Sequence, residues 1–235
     1  MISPRDVPLM LFAAGLGTRM GALTQTRPKP LIPVKGRALI DHALDIVDAF
    51  GPKTCVINTH YLAPLLEAHL AERTVTLVHE TTLLETGGGI VNAMDQLGGS
   101  PIVTFNSDAI WRGPNPLHAV ADAWDEDETD ALLLCIPTDR AIGHRGKGDF
   151  SIDQAGQISR QGDFVYTGVQ IIKTAPILAI QETKFSLNRV WDTLIQQGRA
   201  KAVVYDGQWV DVGTPEGIDV AETLLDKGGA NGSAG

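Results

Sequence analysis

The stretch "LMLFAAGLGTRMGALTQTRPKPLIPV", residues 9–34, decides how this chain is read. Its first apolar residues read as a buried strand, which breaks at Gly15 and Gly17. A strand entering a glycine-rich turn can expose a row of unpaired backbone N–H groups, and these suit phosphate oxygens. Glycine at those positions allows positive φ and close approach of a ligand to the main chain. Two familiar phosphate loops do not fit. The dinucleotide pattern G-x-G-x-x-G needs glycine where Met20 stands, and "GHRGKGD" around Lys147 has the wrong spacing for G-x-x-x-x-G-K-[ST]. Both of those loops run straight into a helix. Here Pro28, Pro30 and Pro33 remove donors and are expected to hold the chain extended. Lys29, pinned between two prolines, loses little backbone freedom on binding. The segment is therefore expected to wrap a long polyphosphate.

Charge supports a local anion site. The 235 residues carry a net charge of -9, which argues against a general nucleic-acid coat or an anionic membrane as partner. Yet from Ala14 to Ile40 there is no Asp or Glu, while Arg19, Arg27, Lys29, Lys35 and Arg37 all fall inside. Cys55 and Cys135 lie in apolar runs without metal spacing and read as buried thiols. The N-terminus is too short and polar for a signal peptide, and no apolar run nears the roughly 20 residues of a membrane span. A cytoplasmic location is the expectation.

Outward from the opening strand, apolar runs alternate with helical periodicity: "RALIDHALDIVDAF" as helix, "KTCVIN" as strand, "LAPLLEAHLAE" as helix, "TVTLVHE" as strand. "GGGIVNAMDQL" opens another helix, "SPIVTFNSD" another strand, and Asn115 is placed to cap the helix of "NPLHAVADAWDED". This alternation predicts an α/β fold, a Rossmann-like and mainly parallel sheet with helices on both faces. After about Thr138 the texture changes, and "GDFSIDQAGQISRQ" with "FVYTGVQIIK" predicts a small antiparallel C-terminal subregion. The helix of "FSLNRVWDTLIQQG" should end at Gly198, and the last helix should begin at Thr214–Pro215. One domain is expected over residues 1–226, and the Gly/Ser-rich residues 227–235 are expected to be disordered.

Two acidic residues stand out. Asp108 follows the apolar strand in "IVTFNSDAIW", where open α/β sheets bind ligands, although an Asp there also serves as a turn cap. Asp211 in "QWVDVGTPEG" lies between two valines, where a carboxylate needs a partner. Mg²⁺ prefers one or two carboxylates together with phosphate oxygens and water. His60 and the four tryptophans are read as structural.

Taken together, "FAAGLGTRM", "PKPLIPV" and "WVDVGT" resemble the nucleotidyltransferases that join a nucleoside triphosphate to a sugar 1-phosphate. The resemblance covers nearly the whole chain, with the family's nucleotide-diphospho-sugar transferase fold. It implies that Ala14 and Gly15 lie against the base and Gly17 and Thr18 along the phosphates. Arg19 would neutralise the leaving pyrophosphate, Lys29 would act on the α-phosphate, and Asp108 and Asp211 would hold Mg²⁺. Residues 1–138 would be the nucleotide-binding half and residues 139–226 the sugar-phosphate half. "ETGGGI" looks most like the branch containing N-acetylmuramate-1-phosphate uridylyltransferase, which implies Gly87 and Gly88 as base-side candidates and Glu85 and Asn106 as further substrate-binding candidates. "GKGDF" and "YTGVQII" make Asp149, Thr167 and Gly168 sugar-side candidates. The family's usual Gly–Asp is Ser107–Asp108 here, which puts the turn in question, and an expected Glu–Lys pair is replaced by "SRQGD". The implied substrates are UTP and N-acetylmuramate 1-phosphate, with no protein partner and no appended acyl-transfer domain. Guanylyl transfer to mannose 1-phosphate, another triphosphate–sugar pair, and a non-catalytic nucleotide sensor are the alternatives.

Overall fold

The computed structural model describes residues 1–144 and 146–229. The opening strand β1 (Leu9–Phe12) lies in the middle of a nine-stranded sheet. Its side chains alternate between two cores: Leu9 and Leu11 join one apolar cluster, Met10 the other. After a short hairpin of β2 (Pro33–Val34) and β3 (Arg37–Ala38), helix α1 (Leu39–Phe50) turns Ile40, Ala43, Leu44 and Val47 onto the first cluster. That spacing is one face of a helix. Strand β4 (Cys55–Thr59) pairs parallel to β1, and β5 (Thr76–His79), reached through α2 (Ala63–His69), pairs parallel to β4. Helix α3 (Glu85–Leu97) then crosses back, so that β6 (Ile102–Asn106) pairs parallel to β1 on its other edge.

This reversal matters most for position. Strands β4 and β5 extend the sheet one way from β1, and β6 begins growth the other way, so the carboxyl ends of β1 and β6 flank a topological switch point. Phe12 and Asn106 are register partners there. Loops leaving adjacent strands at such a point diverge and leave a crevice.

The rest of the chain builds on β6. After β7 (Ala109–Arg112) and α4 (Pro116–Ala123), strand β8 (Ala131–Pro137) and the bridge strand β9 (Ala141–Ile142) lead to the hairpin of β10 (Gly148–Ile152) and β11 (Ile158–Gly162). Strand β12 (Phe164–Ile172) pairs antiparallel with β8 along its length. On its other edge β12 pairs with β6 at Val169–Ile172 and with β10 at Phe164, changing partner across an irregularity between Tyr166 and Gln170. After α5 (Ala175–Leu178) and α6 (Asn188–Gln196), strand β13 (Ala200–Val204) adds parallel to β8. Strand β14 (Gln208–Asp211) joins β7 and β9 in a separate three-stranded sheet, and α7 (Pro215–Gly229) closes it.

The expected α/β architecture is therefore present, with the antiparallel part fused into the main sheet. Asn115 caps α4 by accepting from the Leu117 N–H at 2.9 Å. Both thiols are buried, and burial pushes Cys55 up to about 12. Helix α7 runs to Gly229, past the expected boundary at 226, and residues 230–235 of the expected tail lie outside the described residues. Among the described residues no helix is long and apolar enough to cross a membrane.

Candidate active site

A cleft of about 380 Å³ opens at the switch point. Its lining includes Phe12 to Gly15, where the chain leaves β1, and Leu83, Glu85 and Thr86 at the start of α3. Asn58 and Glu80 line it, Lys29 and Pro30 stand on one side, and Asn106, Ser107 and Asp108 on another.

The two glycines of the opening turn do different work. A Cβ on Gly15 would meet nothing within 4 Å, so its face is open. Gly17 has φ of 63° and a Cβ there would come within 2.9 Å of both the Lys29 Cβ and the Thr24 Cγ2. Glycine at 17 thus lets the basic strap fold back against the turn. The strap is not extended throughout as the prolines suggested: Lys29–Leu31 forms one 3₁₀ turn, with the Ile32 N–H donating to the Lys29 carbonyl. Proline's fixed φ is equally at home in the first turn of such a helix. Thr18 and Arg19, both exposed, start a second 3₁₀ segment, Thr18–Thr24.

Lys29 is 9% exposed, and its Nζ sits 2.7 Å from Asp108 Oδ2. Asp211 arrives from the other end of the sequence. Asp211 pairs with Ala109 across β14 and β7, and the Val212 N–H donates to the Asp108 carbonyl at 3.0 Å. The backbones of the two aspartates therefore lie on neighbouring rungs. Burial, and after it the charge of Asp108, holds the Asp211 carboxyl above the usual carboxylate range, while Lys29, Arg19 and His144 pull it down. Arg19 is beside it: a Cβ on Gly213 would lie 2.9 Å from Asp211 Oδ2 and 3.0 Å from Arg19 Nη1. Glycine at 213 leaves room for guanidinium and carboxylate to approach.

Ser107 causes no difficulty in the turn. It does not have positive φ, and its hydroxyl donates to the Phe12 carbonyl at 2.7 Å, tying β6 to β1 at the cleft floor. Asn106 lies against Gly168, whose φ is 89° and whose missing Cβ would approach the Asn106 side chain to 2.7 Å.

Elsewhere the structure redirects the expectations. Gly87 and Gly88 do not face the cleft. Their N–H groups both donate to the Phe185 carbonyl, and a Cβ on Gly87 would meet the Phe185 ring at 2.2 Å and one on Gly88 the Thr183 carbonyl at 2.2 Å. They accommodate residues 183–187, which return from the C-terminal part and bring Ser186 to the cleft. Glu85 does line it, with an unusual φ of 62°. Thr167, 2% exposed, donates to the Leu134 carbonyl at 2.7 Å, inside the sheet. Asp149 accepts from the Tyr166 N–H at 2.9 Å and so holds the irregular part of β12. Asn58, Glu80, Leu83 and Ser186 were missed. A carboxylate ending the apolar run "TVTLVHE" was a usable signal for Glu80, whereas Ser186 had none. His60 is structural, its Nδ1 lying 2.8 Å from the Glu80 carbonyl oxygen.

Residues 9–211 match the MobA-like NTP transferase domain. The chain is 38% identical over 92% of its length to the N-acetylmuramate alpha-1-phosphate uridylyltransferase of Caulobacter vibrioides, covering 96% of that protein. It is 28% identical over 92% of its length to the enzyme of the same name from Neisseria meningitidis serogroup B, again covering 96%. Among solved structures, HddC of Yersinia pseudotuberculosis complexed with GMP-PN superposes with a TM-score of 0.75 at 21% identity, over 92% of this chain and 98% of that one. The chain belongs to the MobA-like NTP transferase family and, with its relatives, falls among the sugar-1-phosphate nucleotidyltransferases.

Proposed function

We propose that this enzyme transfers UMP from UTP to N-acetylmuramate 1-phosphate, releasing pyrophosphate. A sugar 1-phosphate already carries an anionic oxygen, so no general base is required. That oxygen forms a bond to the α-phosphorus while the bond from the α-phosphorus to the bridging oxygen of pyrophosphate breaks, the electron pair leaving with pyrophosphate. The difficulty is bringing two polyanions together in line, which positioning and charge neutralisation overcome.

The observation that carries this reading is that Lys29 and Asp108 line the cleft as an ion pair, while Asp211 and Arg19 lie close enough to this pair for the charges of Asp108, Lys29 and Arg19 to act on the Asp211 carboxyl. The Lys29 ammonium has three donors, and its bond to Asp108 leaves two for oxygens of the α-phosphate. Arg19, exposed beside Asp211, would neutralise the leaving pyrophosphate. Ala14 and Gly15, which line the cleft with Glu85 and Asn106, would present main chain to the base, and Gly17 and Thr18, just beyond the lining residues, would meet the phosphates. The pair of carboxylates fits Mg²⁺: two aspartates on neighbouring rungs, one of them destabilised in its charged form by burial and then by the charge of the other, with no third His, Cys, Asp or Glu joining them among the described residues. Asp108 and Asp211 would hold the ion, which when bound supplies charge neutralisation to the phosphates. Residues 1–138 would then serve the nucleotide and 139–226 the sugar phosphate within one domain, in the cytoplasm where UTP is available.

The choice of UTP and N-acetylmuramate 1-phosphate is supported by the relatives at 38% and 28% identity. The test is pyrophosphate release on mixing each nucleoside triphosphate with each of several sugar 1-phosphates and MgCl₂. This pair should exceed all others in kcat/KM. A higher kcat/KM with a different pair, or no release with any pair, would overturn the assignment.

A further inference from the structure

Glu80 follows the end of β5 with 1% of its surface exposed, and among the described residues it forms no ion pair with Lys or Arg. Burying a carboxylate is costly unless it is well hydrogen-bonded. Its two oxygens are met by neutral donors: Oε1 accepts from Asn58 Nδ2 at 2.7 Å and Oε2 from the Leu84 N–H at 3.0 Å. Asn58, 4% exposed, accepts at Oδ1 from the Ala13 N–H at 2.8 Å. Each step fixes the next. The Ala13 N–H can only donate, so Asn58 must turn its oxygen there. Its amide nitrogen then needs an acceptor, and Glu80 provides one while its second oxygen holds the start of α3. Gly89, the glycine of the run not used by residues 183–187, makes the space: a Cβ there would lie 2.8 Å from Glu80 Oε1.

The chain of bonds ties Ala13, which lines the cleft as the chain leaves β1, to Leu84, which lies between the lining residues Leu83 and Glu85. On the assignment of this cleft to the nucleotide, we infer that Asn58 and Glu80 are positioning residues that set the separation of Ala13–Gly15 from Leu83–Thr86, and so set triphosphate affinity and base selectivity. Bases differ by donors and acceptors on their edges, and main-chain groups discriminate them only when held at fixed spacing. The relay touches neither Lys29 nor the paired aspartates, so its effect should fall on binding more than on turnover.

Polarity gives a swap that separates this role from mere packing. In Glu80→Gln, two amide nitrogens compete for too few acceptors. In Asn58→Asp, two carboxylates face each other. In the double variant Asn58→Asp/Glu80→Gln, each of the three relay bonds again has a donor and an acceptor. The new carboxylate on β4 takes the Ala13 N–H and an N–H of the new amide after β5, and that amide's oxygen takes the Leu84 N–H. UTP, GTP, CTP and dTTP are titrated against each protein with MgCl₂, and KM and kcat are measured for those that turn over. Each single variant should raise Kd and KM for the preferred triphosphate about tenfold, the worth of one hydrogen bond to a charged group. Preference over the other three should shrink by a similar factor, and kcat should change less than about threefold by the same argument. The double variant should return to within about threefold of wild type. Gly89→Ala, which displaces Glu80 without changing its chemistry, should resemble Glu80→Gln and serves if a single variant fails to fold.

Single variants with wild-type affinity and selectivity, or a folded double variant no better than the worse single, would overturn the relay. If the wild type prefers a triphosphate other than UTP, the substrate assignment falls and the relay is judged on the preferred one. If it binds none of the four, both fall.

Discussion

The two glycine-rich turns of this chain look alike in sequence and do opposite things in the fold. At "AAGLG", Gly15 opens onto empty space and Gly17 makes room for Lys29, so the turn faces a cleft. At "TGGGI", Gly87 and Gly88 are covered by Phe185 and the Thr183 carbonyl, and Gly89 faces Glu80. Glycine marks a place where something must come close to the backbone. Whether that is a ligand or another part of the chain is decided by what the rest of the fold delivers there. In the first turn the fold delivers Lys29, Asp108 and Asp211; in the second it delivers a segment about a hundred residues further along.

The comparison breaks most readily at Lys29. Lys29→Ala should lower kcat by about 10²–10³, the range for removing one preorganised donor from a transition state. The fold should persist, because Asp108 is 34% exposed at its side chain and can be solvated. Steady-state kinetics together with far-UV circular dichroism checks this. A folded variant with wild-type kcat would show that the basic strap faces no reacting phosphate.

Next in size is the second turn. Gly88→Ala puts a methyl group 2.2 Å from a backbone carbonyl, so the segment at Thr183 must move. The expected loss is about 2–3 kcal/mol, or a fall of roughly 5–10 °C in Tm for a chain of this size. Gly15→Ala is its counterpart. With nothing within 4 Å and no positive φ, it should leave Tm within about 2 °C while raising KM for the triphosphate about tenfold. If the two variants exchanged these phenotypes, with Gly15→Ala unstable and Gly88→Ala merely slow, the contrast between ligand-facing and chain-facing glycines would be wrong.

What could be read in advance follows the same line. The α/β architecture was legible because strand and helix periodicity specify it within short windows, and Asp108 and Asp211 each stood out in a local motif; that they belong together came from the family resemblance, since they lie about a hundred residues apart. The extended form expected of the proline strap was not correct at Lys29–Leu31, since proline's φ satisfies both an extended chain and a 3₁₀ turn. Thr167 could not be oriented because β12 changes partners and register between Tyr166 and Gln170, which decouples side-chain direction from simple alternation. Gly87 and Gly88 were assigned to the base because no short window reveals that residues 183–187 return to cover them. Glu80 and Asn58 fall between these cases. Each is visible as a polar residue in an apolar run, but their partnership depends on β4, β5, β1 and α3 meeting.

Aspartate repeats the lesson with smaller energies. Asp211 is crowded by burial and by Asp108, and its carboxyl is pushed up; Asp130 sits between Arg199 and Lys173, each at 2.9 Å, and its carboxyl is pulled down, most by the hydrogen bond from Arg199. One arrangement suits an added cation and the other already has two. A carboxyl whose folded pKa is depressed adds stability above its unfolded value, near 3.9, and that contribution fades as pH falls through the folded value. Asp130→Asn should therefore lose about 1 kcal/mol at pH 7, a value held small because the three side chains are 21–30% exposed. Urea unfolding at pH 7 and again at about pH 3 should find the gap between wild type and variant narrowing in acid, with catalysis at pH 7 unaffected. A gap that persisted unchanged in acid would mean that Asp130 contributes through neutral hydrogen bonds or packing, and that its likeness to a cation-holding carboxylate is only geometric.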